Sequence, residues 1–292
     1  MPEVVYSIII PHYNIPDLLL RCIRSIPVRE DFQIIVVDDC SPCQKEIFQM
    51  LEGLKHPYLE YYSTPVCGSA GRARNVGIEH ACGRWLTFLD ADDLFAPCAG
   101  EILDKYKDRS EDVLYFQSIS VMCDDITKKS GRHCFLYHFD HYFKTGDELP
   151  LRLEFDAPWG KFVKKSLIDK YHIRFDEVRY SNDTYFSAAI GVYANSIGVP
   201  EEVLYVVTER EGSLTAGKMN TIHEWETRYH SALHVQEFFD QNNVGFKRYA
   251  FNDFIVFMWN RDKLRCMKEF MKLSWKNKQR VIYCMLRSVK QQ

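Results

Sequence analysis

A chain of 292 residues with 46% hydrophobic side chains can bury a real core, as one large domain or a domain with an appendage. Its net charge of −3 is uneven: from Arg261 to Gln292 ten Lys and Arg meet two acids, a surplus of +8 that leaves −11 on the first 260 residues. An acidic body argues against nucleic acid as a partner, and the basic tail points to an anionic surface met by the tail alone.

No run of 18 apolar residues is present to span a membrane, and the first residues lack the basic and apolar regions of a secretory signal. A cytoplasmic chain is therefore expected, its ten cysteines reduced. Cys40 and Cys43 have redox-motif spacing, but no second CxxC completes a zinc site. The preceding Asp38 and Asp39 would raise thiol pKa values, so the pair reads as turn chemistry. Asn182-Asp-Thr184 matches a glycosylation acceptor, which has no role without secretion.

In chain order, residues 4–10 form a β-branched strand, and 15–26 carry helical apolar spacing through Leu18, Leu19, Cys22, Ile23 and Ile26. A strand at 32–37 ends in Asp38 and Asp39. A helix at 45–54, a strand at 58–62 and a helix at 72–82 closed by Gly83 follow. This alternation predicts βαβ units and a mostly parallel sheet. After a helix at 97–107 and a strand at 113–122, residues 124–147 are polar, aromatic-rich and aperiodic, as in a hairpin or loop region. A helix at 182–194 and a strand at 202–207 come next. From Asn220 the chain reads as wholly helical, and a boundary is placed near Gly217.

The most informative stretch is WLTFLDADD, Trp85 to Asp93. Its apolar run reads as a buried parallel strand, and such strands present ligands at their carboxyl ends. Asp90, Asp92 and Asp93 would lie together there and need a counter-cation. A hard divalent ion held by one or two carboxylates and substrate phosphates meets that need. An N-cap role for Asp92 or Asp93 explains one aspartate, not three.

The ordered set SIIIPHYN (7–14), IVVDDCS (35–41), ARN (73–75), FLDADD (88–93), WGK (159–161), Asn182-Asp183 and REGS (210–213) resembles the family 2 glycosyltransferases of the GT-A fold. The resemblance covers about residues 4–215. It implies a GT-A, Rossmann-like α/β domain, which the boundary near Gly217 sets at 1–217; the helical pattern leaves 218–292 as a C-terminal extension with no family match. The implied activity is inverting transfer of a sugar from a nucleotide diphosphate, usually a uridine one, to a glycan or lipid-linked acceptor in surface polysaccharide synthesis. Pro11, Tyr13 and Asn14 match the nucleoside loop, Asp39 a uracil contact and Arg74 a basic residue on the nucleotide side. Asp90 and Asp92 match the ribose and metal contacts (Mn²⁺ or Mg²⁺), with Asp93 adding to either. Asp183 matches the catalytic base, and Trp159 an acceptor or donor-sugar platform. The plainer alternatives are core packing for Tyr13 and Trp159, a helix salt bridge for Arg74 and a helix N-terminal acid for Asp183.

Asn182 stands where the family carries an acid, which should lower the pKa of the base beside it. Asp176 and Glu177 are the nearest other candidates for the base. The chemistry needs a carboxylate to take the acceptor hydroxyl's proton and a cation to neutralise the leaving diphosphate. It needs no carboxylate nucleophile. A sugar-nucleotide pyrophosphorylase or a dinucleotide dehydrogenase would need a glycine-rich turn after the first strand, where this chain has Pro11-His-Tyr-Asn14. A non-catalytic sugar-nucleotide binder or membrane scaffold is the alternative from another class. In the tail, Arg261, Arg265, Lys268, Lys272 and Lys276 recur on one predicted helical face, with Leu264, Met267, Phe270, Met271 and Trp275 largely on the other. That pattern fits a helix lying on an anionic membrane surface, or one packing its apolar face on the protein.

Overall fold

The computed structural model describes residues 3–54, 56, 58–64, 66–132, 135–210, 221–246 and 259–289, with side chains as far as Ile282. The chain divides into two compact units, Met1–Gly217 and Lys218–Gln292.

In the first unit, β1 (Tyr6–His12), β2 (Phe32–Asp38), β3 (Leu59–Ser63) and β4 (Trp85–Phe88) pair in parallel in the order β3-β2-β1-β4. The helices α1 (Pro16–Arg24), α2 (Gln44–Gly53) and α3 (Ala70–His80) connect them. Every residue of β1 and β2 is buried, which is why these strands read as unbroken apolar runs rather than alternating ones. The strand order reverses beside β1, and in such sheets ligands bind outside the strand carboxyl ends at that point. His12, Asp38 and Phe88 mark those ends.

The rest of this unit is less regular. β5 (Leu94–Phe95) and α4 (Ala99–Tyr106) follow the acidic turn. The single strand expected over 113–122 is two, β6 (Val113–Tyr115) and β7 (Gln117–Met122), which belong to different sheets. The chain changes sheet at Phe116, whose N–H is held by the Gly160 carbonyl at 2.8 Å. β6 joins β8 (Lys161–Lys164) and β9 (Ile197–Gly198) to complete a seven-stranded sheet, mostly parallel and flanked by helices, in which β8 runs antiparallel to β4 and β6. β7 pairs in parallel with β10 (Val203–Glu209), and β5 covers the other edge of β10. The region expected as hairpin or loop closes with Met122 N–H on the Lys128 carbonyl at 2.9 Å and then forms a helix, α5 (Leu136–Thr145). α6 (Leu149–Leu153), α7 (Lys165–Tyr171) and α8 (Thr184–Tyr193) complete the unit.

Close backbone approaches lock α3 in place. A Cβ at Gly77 would fall 2.4 Å from Cγ2 of Ile9 on β1, and one at Gly71 would fall 2.2 Å from the Asp176 carbonyl oxygen. Only glycine lets the start of α3 lie against the segment that leads into α8.

The second unit is helical in its described residues. α9 (Ile222–Gln241) opens with a capping box between Thr221 and Glu224. α10 (Lys263–Lys272) and α11 (Trp275–Val289) follow, and Tyr229, Cys266, Leu273 and Val281 form their shared core. The predicted basic helix is therefore interrupted: Leu273 adopts extended backbone and is buried, ending α10 before Trp275 starts the next helix. Phe270 turns to this core, whereas Leu264, Met267, Met271 and Trp275 stay exposed. Arg265, Lys272 and Lys276 are paired with Glu226, Glu269 and Asp240.

Candidate active site

The ends of β1 and β2 are tied by a buried pair. The strand register sets His12 opposite Asp38, and His12 Nδ1 lies 2.8 Å from Asp38 Oδ2. The Ile15 N–H donates to His12 Nε2, so that nitrogen is the acceptor and Nδ1–H is the donor to Asp38. Burial opposes the Asp38 charge, but hydrogen bonds from His12, Ser41 and Gln44 outweigh it and hold the carboxyl below its usual range. His12 went unnoticed in the sequence, although its position opposite an aspartate at a parallel strand end is the signal that finds it.

Beyond this pair lies the expected nucleoside loop. Pro11 is buried within β1 itself, which leaves Tyr13 and Asn14 past the strand end. Tyr13 is 58% exposed, which sets aside core packing. Asn14 takes a left-handed φ of 52° and donates its N–H to Ser41 Oγ at 2.7 Å. Asp39 accepts from Thr64 Oγ1 at 2.9 Å and from the Gly68 N–H at 3.1 Å, fixing the loop before α3.

The three aspartates after β4 have three different fates. Asp90 accepts from Arg74 Nη2 at 2.7 Å, and Asp92 accepts from Arg210 Nε at 3.0 Å. Both side chains remain partly open, at 28% and 23%. Asp93 is buried instead, accepting from the Tyr205 hydroxyl at 2.7 Å and the Thr208 N–H at 2.6 Å. Burial, reinforced by Asp92 and Asp90, pushes its carboxyl well above the usual range. The expected metal role of Asp93 is thus corrected: its oxygens pin the turn to β10 and face the core. The Asp92 carbonyl is held in turn by Arg21 at 2.7 Å and Thr208 at 2.6 Å.

Among the described residues no group of three or more His, Cys, Asp or Glu side chains could hold a metal ion. An all-protein cage is therefore not built among these residues. Two partly exposed carboxylates at one strand end do fit a hard cation that takes its other ligands from a diphosphate. Asp90 and Asp92 would hold it.

Arg74 is buried in the interior, not directed at a nucleotide loop. One nitrogen binds Asp90, the other donates to Asn182 Oδ1 at 2.8 Å, and its guanidinium lies 5.3 Å from the Phe175 ring centre. Its neighbour Asn75 clamps the Phe175 backbone in both directions, at 2.8 and 3.0 Å. The ARN motif thereby fixes the segment carrying Asn182 and Asp183. Glu177, one alternative base, is engaged by Arg72 at 2.7 Å and by Asn75.

Asp183 stands at the N-cap position of α8, as the helix-acid alternative has it, but its side chain makes no capping hydrogen bond. It is half-buried. Burial raises its carboxyl to about 6, Arg74 works against that rise, and Asp156 adds to it. The lowering expected from Asn182 is outweighed by lost hydration. Trp159, expected as a sugar platform, is also corrected: it is only 4% exposed and stacks on Tyr205 at 4.8 Å. Lys161 of the same WGK motif is fully buried and donates to the Phe155 and Ala157 carbonyls at 2.6 Å each. Burial lowers its amine to about 7. Glu211, Gly212 and Ser213 of the REGS match lie outside the described residues.

The profile of "Glycosyl transferase family 2" matches residues 7–171. The minor teichoic acid biosynthesis protein GgaB of Bacillus subtilis is 27% identical over 220 residues, covering 72% of this chain and 24% of its own. The poly(ribitol-phosphate) β-N-acetylglucosaminyltransferase TarS of Staphylococcus aureus is 25% identical over 224 residues, covering 71% and 36%. The chain thus spans only a quarter to a third of the length of these relatives. The crystal structure of S. aureus TarS residues 1–349 with UDP-GlcNAc superposes with a TM-score of 0.63 at 20% identity, covering 96% of this chain and 79% of that one, and shares its fold.

Proposed function

Because this chain belongs to glycosyl transferase family 2, we propose that its first unit transfers a sugar from a uridine diphosphate donor to a hydroxyl of a glycan or lipid-linked saccharide. One relative named for minor teichoic acid biosynthesis and one named as a poly(ribitol-phosphate) β-N-acetylglucosaminyltransferase support a place in surface polysaccharide synthesis and a donor of the hexose or N-acetylhexosamine type. The observation that carries this reading is the Asp90–Arg74–Asn182 bridge. It ties the acidic strand end to the segment carrying Asp183, a carboxyl raised to about 6, which supports a donor end next to a base.

Asp183 takes the proton of the attacking hydroxyl, and a pKa near neutrality suits a general base. Tyr13, Asn14 and Asp39 receive the nucleoside, and Asp90 and Asp92 receive the diphosphate end of the donor. A bound divalent cation supplies charge neutralisation to the leaving diphosphate. One displacement from the face opposite the leaving group inverts the anomeric centre, giving a β product from an α-linked donor.

The second unit is proposed to rest on an anionic lipid surface through α10, where Lys263 and Lys268 flank the exposed Leu264, Met267 and Met271. No helix among the described residues is long and apolar enough to cross a membrane.

Incubation of the protein with UDP-GlcNAc and related UDP-sugars, Mn²⁺ and glycan acceptors tests the enzyme. UDP release with a large anomeric proton coupling in the product is the expected result. An α product from an α donor overturns inversion, and activity undiminished by EDTA overturns the cation. Donor-induced thermal stabilisation with no turnover of any sugar favours the non-catalytic binder instead.

A further inference from the structure

With Trp159 buried, another aromatic is available to meet a sugar. Tyr137 lies in the first turn of α5 with 59% of its surface exposed. Its ring centre is 3.9 Å from that of His138, which is 1% exposed and stacks on Phe135 at 5.9 Å. Phe135 in turn lies 6.0 Å from Trp159, so the Tyr137 platform continues into the WGK segment. His138 Nε2 has no hydrogen-bond partner among the described residues. Burial, with Lys161 and His141 assisting, lowers the His138 pKa to about 4, so the imidazole is neutral at physiological pH.

Carboxylates complete the surroundings. The charges of Glu154 and Asp156 both act on the Tyr137 phenol, and Asp156 also acts on Asp183. The Asp156 carbonyl accepts from Ser187 Oγ of α8 at 2.5 Å, which ties this segment to the helix that begins just after Asp183. An exposed ring backed by a buried imidazole and two carboxylates thus gather on the side of the base served by α5 and α8.

We propose that Tyr137, Glu154 and Asp156, with the buried His138 ring as the layer beneath the tyrosine, form the acceptor subsite, and that it takes an uncharged sugar ring rather than a phosphate-bearing unit. The inference rests on the transferase reading above. A pyranose has an apolar C–H face that packs on an exposed aromatic, and its hydroxyls donate to carboxylates. A phosphodiester would meet Glu154, Asp156 and Asp183, all of like sign, and be rejected by repulsion.

Saturation-transfer NMR on the full chain with UDP and Mn²⁺ tests this. The probes are the methyl β-glycosides of glucose, galactose and N-acetylglucosamine, with glucose 1-phosphate as the charged comparison. At least one glycoside should bind the wild type more tightly than glucose 1-phosphate. Tyr137→Ala should weaken it about tenfold, while Tyr137→Trp retains it. Glu154→Gln should weaken the glycoside and improve glucose 1-phosphate. Unchanged binding by Tyr137→Ala, tighter binding of the phosphate to the wild type, or no glycoside binding overturns the subsite. The UDP resonances separate the two readings: UDP bound without glycoside sinks the subsite alone, and neither bound sinks the transferase reading as well.

Discussion

The two halves of the first unit place their functional groups by different means. From β1 to β4 the chain alternates strand and helix, and its polar groups emerge where buried strands stop, as with His12, Asp38 and Asp90. From β6 to β10 it changes sheets, reverses direction at β8 and sets its groups by single long-range contacts. Asp183 depends on Arg74 and Asn75 of the other half for its position, and Trp159 on Tyr205. The regular half is a frame on which a donor site follows from topology; the irregular half must be fastened to that frame residue by residue.

The largest effect should come from the irregular half. Asp183→Asn is expected to lower the transfer rate by about 10² to 10⁴-fold with little change in UDP affinity. The wild-type rate should also follow the base's protonation. A base is active when deprotonated, so with a carboxyl at about 6 the rate should fall about tenfold per pH unit below 6 and level off above it. A flat profile between pH 5 and 7 would remove Asp183 from the role and bring Asp176 forward.

Next in size is the junction. Asp92→Asn should cost about 10² to 10³-fold in rate and weaken Mn²⁺ activation, whereas Asp93→Asn should leave the Mn²⁺ dependence intact. Equal loss of Mn²⁺ activation in both variants would return Asp93 to the cation and undo the distinction between them. At the seam between the halves, Gly71→Ala should destabilise the fold by about 1–3 kcal/mol, read as a lowered urea midpoint, because its Cβ would meet the Asp176 carbonyl. A midpoint like wild type would mean that the two halves are not in such close register. The smallest effect belongs to the second unit. Met267→Asp with Met271→Asp should reduce flotation with anionic liposomes several-fold, and high salt should reduce wild-type flotation in the same way. Flotation unaffected by either change would exclude α10 as the contact.

The same contrast explains what could be read beforehand. The parallel frame was legible because buried strands are uniformly apolar and end in charge, as Trp85 to Asp93 does. The break at Phe116 was not, since Val113 to Tyr115 and Gln117 to Met122 are both strand-like, and only the Gly160 carbonyl shows where the chain turns. Asp90, Asp92 and Asp93 look alike in sequence, and the partners that separate them, Arg74, Arg210 and Tyr205, are remote from all three. Exposure of aromatics was equally hidden: Trp159 is enclosed and Tyr137 is open because of what α5 and β10 bring beside them. The tail's basic residues were counted as one face, yet buried Leu273 divides it and acids of α9 and α10 neutralise three of them.

The guanidinium of Arg74 carries a lesson for how this chain can change. It divides its two outer nitrogens between Asp90 and Asn182, so the residues at 90 and 182 share a single cation. Restoring the family's acid at 182 would set a second carboxylate competing for Arg74 and loosen its hold on Asp90. Substitutions at these positions should therefore be epistatic, with a combined effect that departs from the sum of the singles. An exchange of Asn182 for an acid therefore also changes what Arg74 offers to Asp90.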